Sequence, residues 1–383
     1  MSATAPCHSP KSLLIVRLGA MGDVIHTLHA ATKLRHAFPD AQIGWMVEER
    51  WTELLCAKAA TRSGPRSPAR PLVDFVHTVN TKSWRKSPLS NETRRQFSAA
   101  FKEVRNQKYE IAIDFQGAIK SALLARLAGA STVVGMQEPR ESPARMFYAR
   151  RVKTAGAHVI EQYESLAAAV VRDFDSSASE GRRASLDRTA EGSRPHVDIA
   201  GTWVAFPCDE TAESAVTDKL KNLSGPVVIL NPGAGWATKE WPPERYGEVA
   251  RTFANKGLTP IVNYGPGEEP LARAVEAASN GVARTMACSL AELIALTRRA
   301  SLFIGGDTGP LHLATALDVP VVAIFGPTDP ARNGPYGRRS IVLRNAASRT
   351  SLSHTSTPDP GLLAITPQEL LSAAHRLLED ASG

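Results

Sequence analysis

Short apolar segments alternate with helical segments along this chain of 383 residues, and the alternation occurs twice. Residues 12–16 form a β-rich apolar run, and after a glycine-containing turn the apolar residues of 24–34 recur at helical spacing. Further strands of the first half are predicted at 41–49, 75–80, 110–117 and 133–136. The second half repeats the pattern, with strands predicted at 226–233, 259–267, 301–309 and 319–327. This order predicts an α/β protein with two doubly wound, mostly parallel sheets.

Changes in composition suggest where the two repeats begin and end. We expect an N-terminal Rossmann-like domain at 1–172, a polar linker or insertion at 173–200, a C-terminal Rossmann-like domain at 201–365 and a C-terminal helix at 366–383. The linker is rich in Ser, Arg, Asp and Glu and poor in large apolar residues. The last helix has Thr366 as its predicted N-cap and Glu369 as the capping-box partner.

Cysteine usage and apolar runs limit where such a chain can work. Cys7, Cys56, Cys208 and Cys288 are far apart, which argues against a zinc site or a disulfide framework and favours a reducing compartment. The first eleven residues lack the apolar core of a signal peptide, and no apolar run approaches the roughly 18 residues of a membrane span. Aromatic residues make up only 6%, which disfavours a base-stacking platform, so we expect no nucleic-acid partner.

Positive charge is concentrated in the first half of the chain. Residues 1–200 hold 29 Lys and Arg against 20 Asp and Glu, whereas residues 201–383 hold 16 against 18. This asymmetry suggests a polyanionic partner for the first half. The side chains that could cluster around carboxylates or phosphates include Arg85, Lys86, Lys120 and Arg140. An ordinary solvated surface explains the same charges equally well.

The first strand-to-helix turn, RLGAMGDVIH, places a carboxylate near the start of a helix. Gly19 and Gly22 would permit a tight turn and the close approach of a ligand. Asp23 lies where the helix dipole favours a negative charge, although a simple helix cap would satisfy the same pattern. The turn is not G-x-G-x-x-G, so it gives no support to a dinucleotide fold of the dehydrogenase type.

Two later turns are suited to binding an anion. In NPGAGWATKEWPPERY the glycines let backbone N–H groups face an anion, and Lys239 supplies a cation beside two tryptophans. A surface loop with packing tryptophans is the alternative. In GGDTGPLHLATA the N–H groups of Thr308 and Gly309 could bind phosphate at the start of a helix. Asp307 would order that turn or accept a sugar hydroxyl, and His312 could equally be a buried core histidine.

Taken together, these segments resemble one family. They follow one another as in the bacterial lipopolysaccharide heptosyltransferases, glycosyltransferase family 9. The matching segments, in order, are MGDVIHTL, DFQGAIKSALLARLAG, the stretch from RES to FYARR, HVIEQY, the Lys239 loop and GGDTGPLHL. The resemblance covers about residues 12–170 and 225–345, and the pair His26-Thr27 is similar to type I members rather than type II. It implies a GT-B fold, in which two Rossmann-like domains face each other across a cleft.

The resemblance also implies roles for individual residues. Asp23 matches the family's catalytic base, Lys239 the lysine on the donor diphosphate, and Glu268 an acidic residue that holds the donor nucleoside. The donor-binding turn is matched by Asp307, Thr308, Gly309 and His312. The residues expected at the acidic acceptor are Arg85, Lys86, Lys120, Arg140 and His158.

The implied reaction is transfer of L-glycero-D-manno-heptose from ADP-heptose to a Kdo hydroxyl of the lipopolysaccharide inner core, with inversion. Protein cations and N–H groups would stabilise the departing diphosphate, so neither a metal nor another cofactor is expected. We expect a cytoplasmic enzyme that meets its Kdo-lipid A acceptor at the inner membrane and touches that anionic surface peripherally, without insertion. The alternatives are a GT-B enzyme with another donor or acceptor, and a non-catalytic nucleotide-binding protein of the same fold.

Overall fold

A computed structural model describes residues 9–183, 204–351 and 357–380 of the chain. It contains two units, each with a six-stranded sheet whose neighbouring strands all run parallel. The predicted pair of doubly wound α/β domains is therefore confirmed.

The first unit begins with β1 and ends with a long helix. Its elements are β1 (Ser12–Val16), α1 (Met21–Ala37), β2 (Gln42–Glu48), a 3-10 helix (Glu49–Leu54), β3 (Phe75–Val79), α2 (Thr81–Lys86), α3 (Asn91–Asn106), β4 (Ile111–Asp114), α4 (Ile119–Leu127), β5 (Thr132–Met136), a 3-10 helix (Ser142–Phe147), β6 (Arg150–Val152) and α5 (Val159–Arg183).

The second unit repeats this alternation. Its elements are α6 (Glu210–Leu220), β7 (Val227–Asn231), a 3-10 helix (Ala237–Lys239), α7 (Pro243–Asn255), β8 (Thr259–Tyr264), α8 (Glu269–Ala278), β9 (Arg284–Ala287), α9 (Leu290–Arg298), β10 (Ala300–Gly306), α10 (Gly309–Ala316), β11 (Val321–Phe325), α11 (Pro330–Asn333), β12 (Ser340–Arg344), α12 (Pro360–Ala364) and α13 (Pro367–Asp380).

Both sheets have the same strand order relative to their own first strand. The first sheet has the order β3-β2-β1-β4-β5-β6. The second, read in the matching direction, has the order β9-β8-β7-β10-β11-β12. The order reverses between β1 and β4 in one unit and between β7 and β10 in the other. Ligands of such sheets bind beyond the carboxyl ends of the strands at this reversal. The turns after β1, β7 and β10 are therefore placed to form a site.

The interior strands fold as the sequence predicts because they are continuous apolar runs. Every residue of β1, β7 and β11 is buried, as expected for parallel strands covered by helices on both faces. In the second unit, Leu370, Ala374 and Leu377 of α13 join the hydrophobic core, and Thr366 and Glu369 form the predicted capping box.

The segment expected to be a linker is partly helical. Helix α5 continues to Arg183, and Asp173 forms an ion pair with Arg150 on β6. Residues 184–203 lie outside the described parts of the chain. Beyond them, Phe206 packs into the first unit's core and the Asp209 carboxylate accepts the Lys58 N–H at 3.0 Å. Phe206 and Asp209 thus contact the first unit directly before α6 begins.

The two units also touch directly. Leu293, Ile294 and Leu313, from α9 and α10, belong to the same hydrophobic cluster as α1 of the first unit. The Glu53 carboxylate accepts the Ala291 N–H at the start of α9 at 2.8 Å. The N-terminus of α1, which follows the turn after β1, and the N-terminus of α10, which follows the turn after β10, are brought face to face. Over residues 9–183, 204–351 and 357–380, no helix combines the length and apolarity needed to cross a bilayer.

Candidate active site

Asp23 lies in the first turn of α1, directly beyond the carboxyl end of β1. Its Oδ2 accepts the Ala20 N–H at 3.1 Å and forms an ion pair with Arg17 Nη2 at 2.7 Å. Among the residues that the structure describes, none hydrogen-bonds the other oxygen, Oδ1, and the side chain is 36% exposed. One oxygen is thus held in place while the second can accept a proton.

Arg17 was not identified from the sequence, yet it positions this carboxylate. The side chain is only 4% exposed, donates from Nη1 to Phe115 O at 2.8 Å and lies over the Tyr163 ring at 5.4 Å. Burial alone would lower the pKa of Arg17, but Tyr163, Asp23 and Asp114 raise it above its ordinary value. The sequence signal was a single arginine at the end of a fully apolar strand.

In the second unit, Lys239 and Asp307 form a nearly buried ion pair. Lys239 Nζ lies 2.8 Å from Asp307 Oδ2, both side chains are 11% exposed, and the ammonium lies 4.7 Å from the centre of the Trp236 ring. The other oxygen of Asp307 accepts from His312 Nε2 at 3.2 Å. Burial favours the neutral acid, but His312 and Lys239 hold the pKa of Asp307 well below its usual range. Asp307 therefore orders the turn, as expected, and also holds the lysine.

Glu268 lies between two turns at the carboxyl edge of the second sheet. Its Oε2 accepts the Gly265 N–H at 2.8 Å, and a Cβ on Gly233 would come within 2.3 Å of its carboxylate. The space at Gly233 that the sequence suggested for an anion is occupied here by Glu268. Glu240 is a second carboxylate at this place, which sequence reasoning missed. Burial and the charge of Glu268 raise the pKa of Glu240.

The N-termini of α1 and α10 meet through two glycines. A Cβ on Gly22 would lie 2.7 Å from His312 Cδ2, and a Cβ on Gly309 would lie 2.6 Å from Met21 Sδ. Gly22 was expected to make room for a ligand, but the room is filled by His312 from the other unit. The contact brings Asp23 and the Thr308–Gly309 turn to one point between the units.

His158 lies in the contact between the units. Its Nδ1 accepts the Ile160 N–H at 3.1 Å and its Nε2 donates to Gly334 O at 3.0 Å. The ring stacks on Tyr336 with centroids 4.7 Å apart, and the residue is only 7% exposed. Both ring nitrogens are engaged, so His158 ties the two units together here.

The basic residues of the first unit are divided between a cleft and the surrounding surface. Arg85 and Lys120 line a cleft of about 710 Å³ together with Glu48, Glu49, Arg50, Asn80, Thr81 and Lys82. Lys120 Nζ donates to Thr81 Oγ1 at 2.7 Å. Lys86 and Arg140 are exposed outside that lining. In the described residues there is no group of three or more His, Cys, Asp or Glu that could hold a metal ion.

Comparison with known proteins identifies the family. The model of glycosyltransferase family 9 (heptosyltransferase) matches residues 97–360. Lipopolysaccharide heptosyltransferase 1 of Pseudomonas aeruginosa is 32% identical over 339 residues, which cover 86% of this chain and 83% of that protein. The Escherichia coli K12 protein of the same name is 28% identical over 335 residues, 87% of this chain and 93% of that one.

Solved structures agree with the sequence comparison. The E. coli heptosyltransferase WaaC with ADP superposes with a TM-score of 0.71 at 25% identity, over 96% of this chain and 99% of that one. The same enzyme with ADP-2-deoxy-2-fluoro heptose gives a TM-score of 0.66 at 25% identity, over 97% and 99%. Because the family model covers well over half of the chain and the GT-B structures superpose over nearly all of it, this chain belongs to glycosyltransferase family 9, the heptosyltransferases, and is a glycosyltransferase.

Proposed function

We propose that this enzyme transfers L-glycero-D-manno-heptose from ADP-heptose to a Kdo residue of the lipopolysaccharide inner core, with inversion. The observation that carries the proposal is the contact of α1 with α10, which packs the first turn of α1, where Asp23 lies, against the Thr308–Gly309 turn. The similarity to lipopolysaccharide heptosyltransferase 1 of P. aeruginosa supports the reaction, and the E. coli enzyme solved with an ADP-heptose analogue supports the donor.

In this proposal Asp23 is the general base. Arg17 and the Ala20 N–H fix Oδ2, so Oδ1 is the atom that takes the acceptor hydroxyl proton. As the proton leaves, the acceptor oxygen attacks the anomeric carbon from the face opposite the diphosphate, and the configuration inverts. A well-placed base of this kind typically contributes ~10²–10⁴-fold to the rate.

The second unit stabilises the leaving group. Negative charge grows on the departing ADP diphosphate, and Lys239 with the N–H groups at the start of α10 would face it. Asp307 holds the Lys239 ammonium in position before the donor arrives, while His312 orients Asp307 from the other side. Glu268 would accept hydrogen bonds from the hydroxyls of the donor nucleoside.

The first unit would receive the acceptor. Arg85 and Lys120 line its cleft and suit the carboxylates of Kdo and the phosphates of lipid A, while Lys86 and Arg140 extend the positive charge around it. An acceptor anchored in lipid requires the enzyme to work at the cytoplasmic face of the inner membrane. We therefore propose a peripheral contact with that surface.

Turnover of ADP-heptose with Kdo-lipid A in the presence of EDTA tests the proposal. The purified chain should release ADP and add one heptose to the acceptor, with UDP-glucose and GDP-mannose as control donors. Equal or faster transfer from a control donor would assign the site to another nucleotide sugar. Donor turnover that is absent without added Mg²⁺ would show that protein cations alone do not stabilise the diphosphate.

A further inference from the structure

Half of the large apolar side chains that are exposed in the described parts of the chain belong to the first unit. Eight large hydrophobic residues are exposed among the described residues: Leu89, Ile119, Leu123, Met146, Val282, Tyr336, Val342 and Leu363. Leu89 and Met146 are the most exposed of these, at 79% and 77%. A single exposed leucine is unremarkable in a protein, so the question is whether the first four lie together.

Hydrogen bonds and packing place these four residues on adjoining elements. The Ile119 N–H at the start of α4 donates to the Glu141 carboxylate at 2.8 Å, and α4 packs against the 3-10 helix that carries Met146. Ile119 and Leu123 are one helical turn apart on α4. Lys120 joins α4 to Thr81 at the start of α2, and Leu89 lies in the short link from α2 to α3.

All of these elements follow the carboxyl ends of β3, β4 and β5. In a parallel sheet these ends share one edge, which is also the edge where the cleft of about 710 Å³ opens. Lys82, Arg85 and Lys120 line the cleft and belong to the same helices. The elements that carry the apolar residues therefore lie at the same edge of the sheet as the opening of the proposed acceptor cleft.

The charge around these residues determines which partner fits. Residues 82–95 hold five Lys and Arg and one Glu, and Arg126, Arg140 and Arg145 are exposed on the neighbouring elements. A second copy of the chain would present the same positive charge and be repelled. Apolar side chains within a basic field match an anionic bilayer, where headgroups attract the cations and the acyl boundary receives the apolar groups.

We propose that this docking face, formed by Leu89, Ile119, Leu123 and Met146 with their basic neighbours, binds an anionic phospholipid bilayer by shallow insertion. The inference rests on the proposed function insofar as a lipid-anchored acceptor has to enter the cleft from the membrane side. It replaces attraction by charge alone, which the sequence suggested, with attraction followed by burial of apolar side chains.

Vesicle co-sedimentation tests the docking face without using catalysis. The probe is vesicles of phosphatidylcholine with about 30% phosphatidylglycerol, compared with pure phosphatidylcholine. The double variant Leu89→Gln/Met146→Gln should lower the partition coefficient about tenfold, because it removes only apolar surface and leaves every charge. The matched control Val282→Gln/Leu363→Gln changes two exposed apolar residues of the second unit and should bind like the parent.

Turnover with a water-soluble Kdo acceptor that lacks acyl chains completes the test. Loss of vesicle binding with parent-like turnover in the Leu89→Gln/Met146→Gln variant supports the docking face. Parent-like vesicle binding in that variant, or an equal loss in the control pair, overturns it. A change from dimer to monomer in sedimentation velocity would show that a second copy covers the face, and also overturns it. Vesicle binding that depends on these residues in a chain without heptose transfer would retain the docking face and reject the proposed function.

Discussion

At the residue scale, the site is built on two ion pairs that differ in exposure. Arg17 is almost fully buried beside a partly exposed Asp23, whereas Lys239 and Asp307 are both nearly buried. Removing one partner of a buried pair leaves the other charge without compensation, which is costly. Lys239 thus depends on Asp307 in the absence of donor, and we expect the donor diphosphate to share that lysine.

Lys239→Ala should weaken donor binding and slow turnover together. Lys239 would touch a charge that is present in the bound donor and grows in the transition state. We expect a fall of about 10²–10³-fold in kcat, as for loss of one oxyanion-stabilising donor, and a higher Kd for ADP by calorimetry. Lys221→Ala, an exposed lysine of the same unit, is the control. Parent-like Kd and kcat would remove Lys239 from the site.

At the scale of elements, the contact between α1 and α10 matters most because it joins the helix of Asp23, the proposed base, to the proposed donor turn. The contact is close only because Gly22 and Gly309 carry no side chain. The His312 ring that fills the space at Gly22 is itself held by Asp307. A displacement of either helix therefore reaches the Lys239 pair as well as Asp23.

Gly22→Ala should lower turnover although it introduces a better helix former. In open space, alanine in place of glycine within a helix stabilises by roughly 0.5–1 kcal/mol. Here the new Cβ would meet His312 Cδ2 at 2.7 Å, so α1 and α10 have to separate. We expect a kcat reduced at least about tenfold and a weaker affinity for ADP, because the displaced His312 is linked to Lys239 through Asp307. An unchanged kcat with a raised melting temperature would show that the contact is not needed.

Among the helices and strands, sequence patterns predicted some elements and missed others. The interior strands were predicted because each has a run of buried, mostly apolar residues, whereas the edge strands β6, β9 and β12 are mostly polar or partly exposed. The polar end of α5 has the composition of a linker, so its helix to Arg183 was not predicted. Motifs located Asp23, Lys239 and Asp307, but the ion pair of Lys239 with Asp307 and the role of Arg17 beside Asp23 became evident only in the structure. Sequence spacing does not encode which side chain fills the space at a glycine.

At the scale of the whole molecule, buried histidines lie where the two units touch. The His26 ring lies 4.2 Å from the His312 ring and 5.8 Å from the His158 ring, measured between centroids. Burial, and then the charges of His312 and His158, lower the pKa of His26 well below its usual value. Burial likewise lowers the pKa of His29, beside them on α1, to about 4. The rings of His26 and His29 are therefore neutral in the folded protein near pH 7.

Stability should fall as the pH decreases from about 6.5 to about 4. In that window the unfolded chain, with ordinary histidines, binds more protons than the folded one, so the free energy of unfolding decreases with acid. His29→Gln should flatten this dependence, because it removes a histidine whose pKa is lowered in the folded protein. Urea unfolding at several pH values measures it. Equal slopes for parent and His29→Gln would contradict the account.

The uneven charge of the two units predicts unequal salt sensitivity of the two substrates. Raising salt should weaken acceptor capture more than donor binding, because the acceptor cleft lies in the basic unit and screening acts over ~8–10 Å near 0.1 M salt. Arg85→Ala should raise the acceptor KM and flatten its salt dependence, with donor affinity unchanged. Initial rates against acceptor concentration measure this, with Arg273→Ala as control. Equal salt sensitivity for both substrates would show that the positive charges of the first unit are ordinary solvated surface groups.

The central claim is that Asp23 is the base and the donor turn is its partner, and Asp23→Asn tests it most directly. The substitution keeps the shape of the side chain and removes its capacity to accept the proton. We expect turnover of ADP-heptose with Kdo-lipid A to fall ~10²–10⁴-fold while the Kd for ADP stays within a few-fold of the parent. Asp40→Asn, an exposed carboxylate of the same unit, should behave like the parent. Turnover of Asp23→Asn within a few-fold of the parent would contradict the account and leave Asp23 as a helix cap.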